Sequence, residues 1–349
     1  MKYTRRIALL YTLLHFMVDF TTIFLVISVA LGTSGKLVND GSVIITYNII
    51  AFAGQLPIGI LADAIGKTRS VAAIGCALSA IAYPLSLISP LSACVCAALG
   101  NGAFHIGGGG EILEISMPKA GLSGLFVSSG ALGVWLAHIS DGGIIGFVCP
   151  LLLFIACIFL FVTDSKSHKE EPSDSIRFSL PDFLSLSAVS LFLLTIVIRS
   201  LIGAITDFPW KTTPLLSFVL VAAVVFGKAA GGYLGDKFGY IKVAVISLLT
   251  SLVTFVFAFD LPMCGVIAVL CFNMTMPLTL TAIAGASGKK YGFAFGLTTF
   301  ALAIGYIPTV FGVNRYFGIP LLVAGVLLSL IMITAGYLLL RKKSKGVNL

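Results

Sequence analysis

The chain has 349 residues, of which 58% are hydrophobic and only 10% are charged. An ordinary soluble domain carries roughly 25% charged residues, because its exterior must face water. The composition therefore excludes a soluble enzyme, a nucleic-acid binder and a disordered protein. It predicts an integral membrane protein whose surroundings are the lipid bilayer, with no nucleic acid as a partner.

Apolar runs of about 20 residues, the length that crosses a bilayer as a helix, recur along the whole chain. Short junctions at Ser89-Pro90 and at Asp260-Leu261-Pro262 separate runs that otherwise resemble single long helices. The sequence predicts an all-α protein with twelve spans, at residues 7–31, 40–62, 70–89, 91–115, 121–139, 142–163, 183–206, 213–235, 241–259, 261–284, 291–312 and 318–340.

The basic residues indicate the orientation of these spans. With a cytoplasmic N-terminus, only Lys36, Lys211 and Arg315 fall in outer loops, Arg199 and Lys228 fall within spans, and the other 17 of the 22 face the cytoplasm. This asymmetry is typical of cytoplasmic loops. It predicts a multi-pass protein of a cell membrane, in bacteria the cytoplasmic membrane, with both termini inside.

A polar stretch divides the chain near its middle. Residues 164–182 combine charges with Ser and Pro, which is typical of a solvated linker. We therefore predict a six-helix bundle at 1–163, a cytoplasmic linker at 164–182 and a second six-helix bundle at 183–349.

The two halves share a repeated motif at an offset of 173 residues. The pattern G-x-L-x-D-x-x-G runs over residues 59–66, at the end of the second span, and over 232–239, at the end of the eighth. Such an internal repeat predicts two pseudo-symmetric bundles in the same orientation.

Both copies resemble motif A of the major facilitator superfamily, whose members are secondary transporters that work by alternating access. The first copy departs from the family pattern at Ala64, and the second at Tyr240 and Ile241. The resemblance implies that Asp63 meets the start of the eleventh span and Asp236 the start of the fifth, with Arg69 and Lys242 nearby. The alternative is a solvated Asp at each helix end. The implied cytoplasmic gate comprises Gly59, Asp63, Gly66, Arg69, Gly232, Asp236, Gly239 and Lys242.

Ionisable residues inside spans are costly, so each suggests a function. His15 and Asp19 of the first span are four residues apart and share one helical face. A carboxylate at this depth predicts a coupling proton, whereas a structural His–Asp hydrogen bond is the alternative.

The fourth span carries Asn101 and His105, again four residues apart, followed by four glycines at 107–110. Consecutive glycines weaken a helix, so we expect a flexible or unwound cavity wall here, with tight helix packing as the alternative. Glu111 and Glu114 are expected to be solvated near the cytoplasm.

The second half places Arg199 in the seventh span, Lys228 in the eighth and Asn273 in the tenth, where Pro277 predicts a kink. Two buried cations favour an anionic substrate. The alternative is a structural ion pair of either cation with Asp19. The predicted cavity residues are His15, Asp19, Asn101, His105, Arg199, Lys228 and Asn273.

The segment Asn101-Gly102-Ala103-Phe104-His105 is similar to fosmidomycin-resistance-type exporters of the same superfamily. The sequence thus leaves three hypotheses: a proton-coupled transporter of a small anionic solute, a proton-driven drug exporter, and a sensor or assembly factor that transports nothing. Gly121-Leu122-Ser123-Gly124 matches the motif of rhomboid intramembrane proteases. His138 lies about 22 Å from Ser123 along the same helix, which leaves His105 as the other candidate base. Twelve spans with a half-chain repeat do not suit that protease family, so no enzyme is expected. The seven cysteines lack any metal-ligand spacing. We therefore expect no metal site. We also expect no cofactor, and we expect the protein to be a monomer.

Overall fold

The computed structural model describes residues 2–32, 41–167, 183–312 and 318–344. These residues form helices joined by short turns. The helices are α1 (Lys2–Ala30), α2 (Gly41–Asn48), a π-helical segment (Ile49–Ala53), α3 (Gln55–Ile65), α4 (Thr68–Leu85), α5 (Pro90–Ser116), α6 (Gly121–Ile139), α7 (Gly143–Ser167), α8 (Phe183–Ile205), α9 (Pro214–Phe238), α10 (Tyr240–Phe257), α11 (Pro262–Asn273), α12 (Thr275–Ala286), α13 (Tyr291–Val310) and α14 (Ile319–Ser344).

Twelve stretches of this described part are long and apolar enough to cross a membrane, as predicted. The second stretch combines α2, the π-helical segment and α3, and the tenth combines α11 and α12. Both short junctions separate distinct helices, because α4 ends at Leu85 before α5 begins at Pro90, and α10 ends at Phe257 before α11 begins at Pro262.

The tenth stretch is interrupted at Met274, three residues before Pro277. Proline has no backbone N–H, so it cannot bond to the carbonyl of Asn273 four residues earlier. The predicted kink is therefore present, as a break between two helical segments.

Contacts divide the chain into two compact units. Unit 1 comprises Met1–Ile115, Ser129–Arg177 and Lys290–Phe300, and unit 2 comprises Ser116–Ser128, Phe178–Lys289 and Ala301–Leu349. The first turns of α6 thus belong to unit 2, and the first turns of α13 to unit 1. Residues 168–182 of the predicted linker lie outside the described residues, as do Lys36 and Arg315, and the predicted domain boundaries stay a prediction.

Unit 1 depends on close approach between α4 and α5. A Cβ on Gly75 would collide with the backbone of Phe104, and one on Gly107 would collide with the backbone of Ala72. Helices approach this closely only where small residues line the contact. The expectation of an unwound wall at 107–110 is wrong, because α5 is continuous there and the glycines serve packing.

Unit 2 also has close helix contacts at glycines, where α9 packs against α11 and the residue that follows it. Gly227 lies against the carbonyl of Leu270, and Gly231 against the backbone of Met274. The Phe192 ring of α8 packs edge-on against Tyr337 of α14, with 5.0 Å between ring centroids. The buried Tyr337 hydroxyl donates to the carbonyl of Leu278 at 2.8 Å, so its polar atom is satisfied in the core.

Candidate functional site

Four polar side chains from α1 and α5 meet inside unit 1. We call His15, Asp19, Asn101 and His105 the histidine–aspartate cluster. His15 Nε2 lies 3.2 Å from Asp19 Oδ2 and 2.8 Å from His105 Nε2. His105 Nε2 lies 3.6 Å from Asp19 Oδ1. His15, Asp19 and Asn101 are all less than 10% exposed, at 4%, 8% and 5%.

Helical spacing explains this convergence. On each helix the two residues are four apart, so both side chains project from one face. Gly130 of α6 completes the arrangement, because a Cβ there would collide with Asp19 Oδ2 and His15 Nε2. Gly133, one turn further along α6, lies against the carbonyl of Phe16 on α1. The small residues of α6 therefore let this helix cover the cluster.

Asn101 organises the cluster through both its side chain and its backbone. Its Nδ2 donates to Asp19 Oδ1 at 2.8 Å and to Thr22 Oγ1 at 3.2 Å. Its carbonyl oxygen lies 2.8 Å from His105 Nδ1. Because a carbonyl only accepts, His105 Nδ1 carries a hydrogen, and in the neutral imidazole the Nε2 atom then presents its lone pair.

This tautomer of His105 restricts where the other hydrogen atoms of the cluster can lie. The 2.8 Å contact between the Nε2 atoms of His15 and His105 is a hydrogen bond only if one of the two atoms carries a hydrogen. The neutral pair needs the hydrogen on His15, whereas an added proton makes one ring cationic beside the Asp19 carboxylate. The arrangement can therefore hold one extra positive charge with a counter-ion in contact.

The hydrogen-bond network continues from the cluster to the second stretch. Thr22 Oγ1 lies 2.9 Å from the hydroxyl of Tyr47, and both side chains are buried. Thr22 and Tyr47 were not identified from the sequence, because a Thr and a Tyr in apolar spans carry no spacing signal of their own.

The two acidic residues of the repeated motif bind the first N–H groups of other helices. Asp63 accepts hydrogen bonds from the backbone N–H groups of Gly292 at 2.8 Å and Phe293 at 2.7 Å, at the start of α13. Asp236 accepts from Ala120 at 2.7 Å and Gly121 at 2.9 Å, at the start of α6. These N–H groups have no partner within their own helix, and the helix dipole favours a carboxylate there.

Glycines bring these helix ends together. A Cβ on Gly59 would collide with the carbonyl of Gly292, and one on Gly232 would collide with the carbonyl of Ala120. Gly66 and Gly239 follow the helices with φ of 69° and 95°, a region that L side chains rarely adopt. Each of these four glycines thus has a steric or conformational reason for its position in the motif.

The first basic residue of the motif has an acidic partner on another helix. The guanidinium of Arg69 pairs with the carboxylate of Glu111 on α5, and Thr68 Oγ1 donates to the same carboxylate at 3.2 Å. Glu111 is buried, so the expectation that it is solvated is wrong. The sequence could not show this pairing, because Arg69 and Glu111 are 42 residues apart.

A tyrosine hydroxyl lies beside Asp236 in the second copy of the motif. The hydroxyl of Tyr240 lies 3.0 Å from Asp236 Oδ1 and 2.7 Å from the carbonyl oxygen of Pro118. Its single proton can serve either acceptor. Lys242, predicted beside Asp236, is an exposed residue of α10.

The remaining predicted cavity residues belong to unit 2. Arg199 of α8 is 7% exposed, and its Nη1 atom has no hydrogen-bond partner among the described residues. Lys228 of α9 is half-buried. Asn273 donates from Nδ2 to the carbonyl of Val269, within its own helix, at 2.9 Å.

The fold of this chain is shared with solved structures, although its sequence has no match among known families. No protein-family model matches the sequence, and no curated protein matches it. Solved structures with the same fold are transporters of the major facilitator superfamily, so the predicted fold is confirmed.

Three solved structures illustrate the match. A variant of the E. coli fucose:proton symporter FucP is 13% identical, with a TM-score of 0.64 over 98% of this chain and 99% of that chain. FucP in the outward conformation is 12% identical, with a TM-score of 0.60 over 96% and 99%. A bacterial homologue of the iron transporter ferroportin, in an outward-facing state, is 15% identical, with a TM-score of 0.60 over 97% and 99%. At these identities the likeness concerns the fold.

Proposed function

We propose that this protein is a secondary active transporter that moves a small anionic organic solute by alternating access, coupled to protons. It acts as a monomer in a cell membrane, with both termini in the cytoplasm. In a bacterium this would be the cytoplasmic membrane. The observation that carries the proposal is the buried histidine–aspartate cluster within a fold shared with known transporters.

The cluster supports ion coupling because it is expensive to bury. An ionisable group at bilayer depth costs on the order of 3 kcal/mol or more, so several of them together need a function that offsets the cost. Here two imidazoles and a carboxylate share their hydrogen bonds, and one added proton changes the charge of the group. A cycle that loads and releases this proton would couple transport to the proton gradient.

Arg199 supports an anionic substrate. Its guanidinium is buried on α8 and leaves one nitrogen without a hydrogen-bond partner among the described residues. A buried donor without a partner costs free energy, and a carboxylate or phosphate of a substrate would satisfy it with a charge-assisted hydrogen bond. Lys228 would add a second positive charge.

The two motif carboxylates support a cytoplasmic gate. Each binds the start of a helix far away along the chain, since Asp63 and Gly292 are 229 positions apart and Gly121 and Asp236 are 115 positions apart. A transport cycle that breaks and re-forms these contacts would open and close the cytoplasmic side.

Solid-supported-membrane electrophysiology on protein in liposomes tests the proposal. Small carboxylates, phosphorylated compounds and lipophilic cations are applied under inward and outward pH gradients. We expect an anion-evoked current that requires the pH gradient and is lost in Asp19→Asn. The matched control Asp207→Asn removes an exposed carboxylate that pairs only on the surface with Lys211, and it should retain the current.

Current with lipophilic cations alone would instead favour a drug exporter and contradict the anionic substrate. Folded protein that gives no current with any of these compounds would contradict the transport proposal and favour a sensor or assembly factor. Direction follows from which pH gradient drives the current.

A further inference from the structure

We propose that the histidine–aspartate cluster binds a divalent transition-metal ion, with His15 Nε2, His105 Nε2 and the Asp19 carboxylate as ligands. The inference deepens the proposed function, on which its role in transport rests, by naming a second cation for the same cluster. It departs from the expectation of no metal site, which came from the absence of a ligand spacing along the chain.

The distances between the three ligand groups suit one metal ion. Their ligand atoms all lie within 4.8 Å of one another. The closest approaches are 2.8 Å between the two imidazoles, 3.2 Å between His15 and Asp19, and 3.6 Å between His105 and Asp19. A tetrahedral ion with bonds of about 2.0–2.1 Å requires roughly 3.3 Å between ligand atoms. The observed distances bracket this value, so small side-chain adjustments suffice.

The outer contacts of the cluster also resemble those of a metal site. A histidine ligand commonly donates its other ring N–H to a carbonyl or carboxylate, which orients the ring toward the metal. His105 Nδ1 does this with the carbonyl of Asn101 at 2.8 Å. The Asn101 side chain holds Asp19 Oδ1 at 2.8 Å, so one residue orients two of the three ligands.

The donor set indicates which metal would bind. Two imidazoles and one carboxylate suit Zn²⁺, Fe²⁺, Co²⁺ or Ni²⁺, whereas Mg²⁺ and Ca²⁺ prefer oxygen ligands throughout. Three protein ligands leave one tetrahedral position open, and structural zinc sites are almost always closed by a fourth protein ligand. An open position suits an ion that exchanges.

Metal binding and an added proton would exclude each other at this cluster. The ion would occupy the Nε2 lone pairs of both imidazoles, and a histidine ligand binds metal as the neutral ring. The hydrogen between the two Nε2 atoms would therefore move to Nδ1 of His15, and any added proton would leave the cluster.

Binding is tested on full-length protein in detergent, purified without a histidine tag and treated with a chelator. Isothermal titration with Zn²⁺ should show one site per chain, and Co²⁺ should give the absorption bands of tetrahedral coordination. His15→Gln and His105→Gln should each weaken binding more than about 100-fold, beyond the 10–100-fold typical of outer-contact losses. Asn101→Ala should fall within that 10–100-fold range.

His138→Gln is the matched control, because His138 is exposed near the end of α6 and its Nδ1 lies 2.8 Å from the carbonyl oxygen of Val134 in its own helix. It should bind metal as the wild type does. Thermal unfolding of every variant establishes that the protein is folded before its binding is compared.

Two results would overturn the inference. One is folded wild-type protein that binds neither Zn²⁺ nor Co²⁺, even when the ion is in large excess over the protein. The other is metal binding outside the cluster. Binding that survives in both His15→Gln and His105→Gln would show this, and a sulfur-to-cobalt charge-transfer band would place the metal on cysteines.

Failure of the metal proposal can be distinguished from failure of the transport proposal. Proton-driven current measured in the presence of a chelator needs no metal, so such current without metal binding removes only the present inference. Metal binding without any current removes only the transport proposal.

Discussion

Asp63, in the last turn of α3, accepts a 2.7 Å hydrogen bond from the backbone N–H of Phe293, in the first turn of α13. A carboxylate in this position gains from both the hydrogen bond and the helix dipole, which is worth about 0.3–1 kcal/mol and up to ~2 kcal/mol when partly buried. The equivalent contact of Asp236 with Gly121 has the same chemistry, so the two motif copies form matching helix-end contacts.

We expect Asp63→Asn and Asp236→Asn each to lower the free energy of unfolding by about 1–2 kcal/mol, because the amide keeps the shape but its NH2 group cannot accept one of the two backbone hydrogen bonds. Thermal unfolding in detergent measures the change, with Asp207→Asn as the exposed control. If the gate proposal holds, transport current should fall as well. Equal unfolding temperatures for all three variants would contradict a stabilising role.

We expect Gly232→Ala to destabilise the protein by about 1–3 kcal/mol, the usual cost of overpacking. A methyl group there would collide with the carbonyl of Ala120, which is backbone and cannot move aside cheaply. Gly203→Ala is the matched control, since no atom lies within 4 Å of its Cβ position. This control should be neutral or stabilising by up to ~1 kcal/mol. Thermal unfolding of the two variants compares them directly.

We expect Glu111→Gln to destabilise the protein by about 3–5 kcal/mol, because it leaves the guanidinium of Arg69 without its buried counter-ion. The double variant Arg69→Gln with Glu111→Gln should recover part of this loss. A double-mutant cycle on unfolding temperatures and purified yield measures the coupling. Additive effects of the two substitutions would show that the pair contributes no mutual stabilisation.

We expect Gly130→Ala to reduce proton-driven current at least about 10-fold while keeping every ionisable residue of the cluster. Its new Cβ would displace Asp19 Oδ2 and His15 Nε2, and a misplacement of 1 Å can cost a site about 100-fold in activity. The readout is the current under a fixed pH gradient, with Gly203→Ala for comparison. Wild-type current in folded Gly130→Ala protein would argue against coupling at this cluster.

We expect Arg199→Gln to raise the substrate concentration for half-maximal current by about 10–100-fold, since a hydrogen bond to a charged group contributes about 1.5–3 kcal/mol. Lys211→Gln is the control, because Lys211 is exposed and pairs with Asp207. Substrate titrations of the current measure both. An unchanged half-maximal concentration in Arg199→Gln would place the anion elsewhere.

Sequence reasoning predicted the elements that depend on local composition. The apolar runs, the break near Pro277 and the repeat around Asp63 and Asp236 follow from residues close together in the chain, and the structure contains all of them. Helical spacing also predicted that His15 and Asp19 share a face, as do Asn101 and His105.

Other expectations failed because they depend on neighbours far along the chain. The four glycines at 107–110 suggested a weakened helix, but the helix is continuous there, Gly107 lies against the backbone of Ala72 and Gly109 lies against the ring of Phe295. Glu111 looked solvated by its position near a span end, but Arg69 reaches it from another helix.

The sequence by itself determined that this protein is a twelve-span membrane protein with an internal repeat, because hydrophobic length and charge bias act within single segments. Only the tertiary structure decided that His15 and His105, 90 residues apart, bring their Nε2 atoms to 2.8 Å. That contact depends on how closely α1, α5 and α6 pack, and packing distance is set by glycines such as Gly130 meeting particular side chains in three dimensions.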